Sequence, residues 1–368
     1  MRLALVFLDK ASGQAHFAYA HAKIMSARVQ MKCFLSAQNV LLEDFRKLPC
    51  EVEAFDWPRG QKSLFRALVT GTDPTGIAHA VDEYSPDIVL DTHSIWWSGV
   101  VDKKLGGKYP IAEVVHDVVA HPGPLAKFYS LYDVLFPSKA DIAVALSEYT
   151  AGQLLVKYPR KSHITSRHGI FHSRDAVDAD AVASARHKFL FFGRIEPYKG
   201  LDVLVEAFAQ AKESNPSVEL DVIGSGAISP SSLRRIKDLG VGLVNTYVSD
   251  EDARAAMESH GVLVLPYTSA TQSGVAAIAL GNGLPCIASS VGALSEQIVD
   301  GVSGLIVPPG DAGALAEAML RIAGDHDLAR RMSLEAYRIG QEDYSWDTIS
   351  ARLLDDLGAY LAKQDKEQ

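Results

Sequence analysis

Residues 188–212, KFLFFGRIEPYKGLDVLVEAFAQAK, constrain this chain more than any other stretch. The apolar run Phe189 to Phe192 suits a buried strand and is too short for a helix. Gly193 ends it, and Arg194, Glu196 and Lys199 follow in a loop closed by Gly200. Leu201, Leu204, Val205 and Phe208 then recur at i, i+3, i+4 and i+7, the stripe of a helix with one buried face. Asp202 falls in the first turn of that helix, where a negative charge suits the dipole. The pattern predicts strand, loop, helix, with two cations above the carboxyl edge of a sheet. In open α/β proteins ligands bind at that edge. Surface lysines and arginines are ordinarily just solvated, so the loop alone leaves both readings open.

A chain of 368 residues suits two domains better than one. The net charge of −9 argues against a nucleic-acid partner, whose phosphates would be repelled. Cys33, Cys50 and Cys286 show no metal-ligand spacing and no even disulfide framework, and are expected as reduced core residues of a cytoplasmic protein. The opening MRLALVFLDK runs directly into a strand and lacks a secretory signal pattern. No apolar run approaches the ~20 residues of a membrane span.

The first half alternates strand and amphipathic helix. Strands are expected at Leu3–Leu8, Met31–Leu35, Val52–Phe55, Ile88–Leu90, Ile111–Val115 and Ile142–Leu146, with a turn around Gly13 and a helix over His16–Val29. Such alternation predicts a parallel sheet with helices on both faces. His116 and Asp117 leave the end of one of these strands; Asp91–Trp97, with His93, Trp96 and Trp97, leaves another. Ser147, Ser229 and Ser249 read as helix N-caps, Ser229 with Pro230 at N1 and Ser249 with Asp252 three residues on. Residues 172–188 are polar and alanine-rich and read as a linker between domains 1–171 and 189–345. The pair Asp178 and Asp180 inside it ends no strand, so no catalytic metal is expected. Further strands are expected at Glu219–Ile223, Val262–Leu265, Cys286–Ala288 and Leu305–Val307, and a helix at Ile349–Leu361.

The phrase GRIEPYKG with its following helix, the segment VSDED (248–252), and GLPCIASSVGALSEQIVDGVSGLIVPPGD (283–311) together resemble the retaining glycosyltransferases of family 4. The resemblance is strong over roughly Phe189–Trp346 and weak before that. It implies the GT-B fold: α/β, two Rossmann-like doubly wound parallel-sheet domains facing a cleft, with a last segment, 346–368, crossing back onto the N-terminal domain. It also implies that Arg194 and Lys199 grip the diphosphate of a nucleotide sugar, with Glu196 of the same loop counted among the donor-binding residues. By the same resemblance Gly13 lies in the first turn near the donor, and His116, oriented by Asp117, contacts the transferred sugar. Many members carry two glutamates eight apart before the GLP phrase. Here Gln272 takes roughly the first position, and Ile278 or Ala279 stands where the second would be. Ser273 and Gly274 still open a helix whose free N–H groups form an anion site.

The activity so implied is metal-independent transfer of a sugar, with retention, from a nucleotide sugar to a saccharide or lipid-linked acceptor. No cofactor is expected beyond the nucleotide sugar, which is a substrate. A lipid-linked acceptor would bring peripheral contact with the inner membrane face. A nucleotide-sugar epimerase of the same fold and a non-catalytic nucleotide-sugar-binding partner are the alternatives.

Overall fold

The structure is a computed structural model that describes every residue except 10–12, 57–65, 67–68, 71–72, 74, 93–97, 117, 119–139, 172 and 368; the side chains of 98–100, 250 and 367 are also outside it. The expectations for His93, Trp96, Trp97 and Asp117 therefore lie outside the described residues. Two compact units form, Met1–Arg167 with Trp346–Gln368, and His168–Ser345.

The first unit is a wholly parallel seven-stranded sheet. Its strands are β1 (Arg2–Phe7), β2 (Gln30–Ser36), β3 (Glu51–Phe55), β4 (Ile88–Asp91), β5 (Ile111–Val115), β6 (Ile142–Ala145) and β7 (Ser162–Thr165), in the order β3-β2-β1-β4-β5-β6-β7. Helices α1 (Gly13–Met25), α2 (Leu42–Phe45), α3 (Ile77–Tyr84), α4 (Ser98–Leu105) and α5 (Glu148–Lys157) connect them. Ser147 caps α5 by accepting the Thr150 N–H. The order reverses between β1 and β4, the switch point of a doubly wound sheet. Gly13 is the first residue of α1 rather than the centre of a turn, and a Cβ there would meet nothing within 4 Å. Strand β7 was not expected; it is outermost and only partly covered, so it carries no apolar run.

The second unit holds the parallel strands β8 (Lys188–Phe192), β9 (Glu219–Gly224), β10 (Gly242–Asn245), β11 (Val262–Leu265), β12 (Cys286–Ser289) and β13 (Gly304–Val307), in the order β10-β9-β8-β11-β12-β13. Its helices are α6 (Ala179–Ser184), α7 (Leu201–Ser214), α8 (Pro230–Asp238), α9 (Asp250–Ser259), α10 (Gly274–Gly281), α11 (Leu294–Gln297), α12 (Ala312–Gly324) and α13 (His326–Asp343). Phe189, Phe191, Leu204 and Phe208 are buried in its core, each contributing about 1.5–3 kcal/mol. Helix α6 lies inside the stretch expected as a linker. Asp178 is its N-cap, accepting the Ala181 N–H, and Asp180 pairs with Arg330 at 2.9 Å, so both carboxylates have structural partners.

The last helix, α14 (Trp346–Glu367), packs in the first unit against α1. Trp346 meets Phe17 edge-on at 5.4 Å, and Ser350 bonds the buried His21 at 3.0 Å. Among the described residues no helix is long and apolar enough to cross a membrane. Cys33 and Cys286 are buried, whereas Cys50 is only half-buried, its sulfur 3.9 Å from that of Cys33.

The first unit also buries acid. Asp91, Asp102 and Glu113 are each at most 5% exposed, and Asp91 pairs in register with Glu113. Burial, then the Asp91 and Glu113 charges, push the Asp102 carboxyl well above its ordinary range. The folded chain therefore holds this proton more tightly than the unfolded chain, so the contribution of Asp102 to stability falls as pH rises through its folded-state value. Asp102→Asn removes that dependence. The melting temperature of the variant is expected to gain on wild type as pH is raised from about 5 to about 9, which thermal denaturation across that range checks.

Candidate functional site

In the second unit the strand order reverses between β8 and β11, and the loops after these two strands carry Arg194, Glu196, Lys199, Gln272, Ser273 and Gly274. Two constraints hold the loops together. Residues Pro197–Lys199 form one 3₁₀ turn ended by Gly200 at φ 71°, and a Cβ on Gly200 would fall 1.9 Å from the Pro266 carbonyl oxygen. Across the same gap the Thr268 N–H donates to the Tyr198 carbonyl at 2.7 Å.

This stitching places Lys199 inside. It is 7% exposed, and its Nζ lies 5.1 Å from the centre of the Tyr267 ring. The ammonium makes neither a hydrogen bond nor a close ion pair with any described residue. Burial pulls its pKa below the ordinary lysine value, and the Arg194 guanidinium adds to that, against the opposing pull of Tyr198 and Glu196. Arg194 is exposed, Glu196 half-buried. Burial likewise pushes the Tyr267 phenol up to about 12, against the opposing pull of the Ser273 side chain.

Helix α10 starts beside this lysine. A Cβ on Gly193 would stand 3.2 Å from Lys199 Nζ and 3.4 Å from Val275 Cγ2, so cation and helix start converge on one point. Ser273 caps the helix by accepting the Ala276 N–H at 3.3 Å, and its carbonyl accepts from Ala277. Its own N–H goes to Gln297 Oε1 and its carbonyl also receives Gln297 Nε2, both at 3.0 Å. The N–H groups of Gly274 and Val275 remain for a ligand. Gln272 Oε1 is buried without a partner. The arrangement combines a largely buried lysine, an exposed guanidinium, a helix N-terminus and the Gln272 oxygen, which has no partner among the described residues. Chemically it is a seat for an anion that also carries hydroxyl groups.

The structure thus brings together Arg194, Lys199, Gln272, Ser273 and Gly274, with Glu196 on the same loop. Gly13 and His116 belong to the other unit, after β1 and β5. His116 is half-buried; Nε2 lies 3.2 Å from the Thr92 carbonyl, and its ring meets Phe17 edge-on at 5.2 Å. Sequence reasoning missed Gln297, Tyr267 and His168, whose ring carbon would stand 3.7 Å from a Cβ on Gly274. None of the three left a usable signal: Gln297 follows Ser295 and Glu296 and reads as one more polar residue of a short helix.

Residues 186–325 match the family Glycosyl transferases group 1. The D-inositol 3-phosphate glycosyltransferase of Streptomyces griseus is 32% identical over 185 residues, covering 47% of this chain and 39% of that protein. The phosphatidyl-myo-inositol mannosyltransferase of Mycobacterium leprae is 29% identical over 196 residues, covering 49% and 51%. The chain thus spans about half or less of these relatives. Two solved structures superpose over 98% of this chain with a TM-score of 0.71: HepE of Anabaena in complex with UDP and glucose, at 18% identity, and sucrose-phosphate synthase of Thermosynechococcus elongatus, at 20%. The fold is that of the GT-B glycosyltransferases.

Gly193 has φ 107°, a conformation side chains rarely adopt, and faces the lysine. Gly193→Ala should lower nucleoside-diphosphate affinity about 10-fold, the equivalent of ~1.4 kcal/mol of displaced contact and backbone strain. Calorimetric titration against wild type measures it.

Proposed function

We propose that the protein is a retaining, metal-independent glycosyltransferase that takes a sugar from a nucleoside-diphosphate sugar to a saccharide or lipid-linked acceptor. The observation that carries this reading is the largely buried Lys199, whose ammonium has no counter-ion among the described residues, beside the open start of α10. A buried unpaired charge costs stability, and such groups persist where a ligand completes them. A diphosphate completes this one. Its oxygens take charge-assisted hydrogen bonds from Lys199 and Arg194 and backbone bonds from Gly274 and Val275.

As the bond to the sugar breaks, negative charge grows on the departing phosphate. The fixed cations and the helix start stabilise that charge more than they stabilise the bound donor, which is the requirement for catalysis. These groups supply the positive field that a divalent ion would otherwise provide. Gln272 Oε1 is available to a sugar hydroxyl. His116 is assigned to the transferred sugar and Asp117 to orienting its ring. Gly13, where a side chain would meet nothing within 4 Å, leaves backbone open to a close-lying donor. The names of the inositol-phosphate and phosphatidylinositol relatives, and the UDP and glucose bound by HepE, support a nucleotide-sugar donor and a polar or lipid-linked acceptor.

Two measurements test the reading. Lys199→Met should leave the melting temperature unchanged or raise it, by about 2–4 °C for each kcal/mol of relieved burial. The same variant should weaken the tightest-bound of UDP, GDP and ADP by ~10- to 150-fold, or ~1.5–3 kcal/mol. A destabilised variant with intact affinity would make Lys199 a structural residue and remove the basis of the proposal. In the second measurement, turnover with nucleotide sugar and acceptor is expected to persist in excess EDTA; activity restored only by Mg²⁺ or Mn²⁺ would overturn metal independence. Release of free epimerised sugar without an acceptor would mark an epimerase instead.

A further inference from the structure

We propose that Gln297 is a positioning residue for the donor diphosphate, setting the start of α10 so that two N–H groups point at the phosphate; this rests on the donor-site reading above. Gln297 ends α11 and is 5% exposed. Its carboxamide grips both backbone groups of Ser273 at once, accepting the N–H and donating to the carbonyl, each at 3.0 Å. A helix start ordinarily leaves four N–H groups open. Here the Ser273 N–H goes to Gln297 Oε1 and the Ala276 N–H to Ser273 Oγ, leaving those of Gly274 and Val275. Because Ser273 is fixed on both sides, the direction of those two N–H groups is fixed before any ligand arrives. Preorganised donors of this kind need no rearrangement when charge develops.

The chemistry of the amide matters twice. Of the side chains that fit, it carries one donor and one acceptor at the spacing of a peptide group. It is also neutral, so it places no negative charge behind an anion seat. Glutamate is nearly the same shape and separates these properties. As a carboxylate it has no proton for the Ser273 carbonyl and repels phosphate. As the protonated acid, its O–H donates to that carbonyl while its C=O accepts the Ser273 N–H, restoring both bonds. Burial raises the pKa of such a glutamate toward neutrality.

The experiment is calorimetric binding of the tightest-bound of UDP, GDP and ADP to wild type, Gln297→Glu and Gln297→Leu, from pH about 5.5 to about 8.5, with melting temperatures under each condition. Gln297→Glu is expected to bind about 10-fold or more weakly than wild type at the alkaline end, a loss of ~1.4 kcal/mol or more. That gap should close as pH falls. Gln297→Leu, lacking both bonds and any charge, should bind more weakly at every pH with no recovery. A merely structural role would lower the melting temperature of both variants while leaving affinity of the folded protein intact. That outcome, or a pH-independent ratio for Gln297→Glu, overturns the proposal. Wild type that binds none of the three diphosphates overturns the donor-site reading itself, and the two failures are distinguished by that control.

Discussion

The Lys199 side chain is largely buried in the second unit with no counter-ion among the described residues, and the candidate site is built around that cost. A lysine side chain normally carries its charge to water along a flexible stem. Here the side chain is 7% exposed, and the loop sets its course. Pro197–Lys199 is pinned in a single 3₁₀ turn, Gly200 packs against the Pro266 carbonyl, and Tyr198 is bonded to Thr268. The Tyr267 ring takes up part of the field by a cation–π contact. A neutral face of this kind lowers the penalty but does not cancel it, so the pKa stays depressed. An incoming anion recovers the remainder, and in a weakly polar surrounding each ionic hydrogen bond is stronger than it would be in water.

The Tyr267 ring faces the cation, and the polar side chains at the start of α10, those of Gln272, Ser273 and Gln297, are uncharged. Glutamine at 272 and 297 keeps the site polar without supplying the negative charge that would neutralise Lys199 internally. That choice separates the second unit from the first, where Asp91, Asp102 and Glu113 are all buried and burial, with the other two charges, raises the proton affinity of Asp102. The overall charge of −9 therefore says little about what either unit binds.

Much of this architecture was legible in residue order. A strand buried on both faces must be a short apolar run, so β1, β4, β5, β6, β8, β11 and β12 were readable. The caps Ser147, Ser229 and Ser249 were readable because an N-cap is a local bond between residues three apart. Edge strands β7 and β10 were not, since a strand half open to water needs no apolar pattern. Helix α6 was also missed: Asp178 reads as linker polarity until it is seen to cap the turn that follows.

The amino-acid order by itself determined the two-unit α/β plan, the loop after β8 that carries Arg194 and Lys199, and the helix start at Ser273 and Gly274, because each depends on neighbours within one turn or one strand. Only the tertiary structure decided that Lys199 is buried and unpaired, that Gly193 is the point where lysine and helix meet, and that Gln297 clamps Ser273 from 24 residues away. Those facts depend on which loops the parallel sheet brings side by side. Chain separation carries no record of that adjacency.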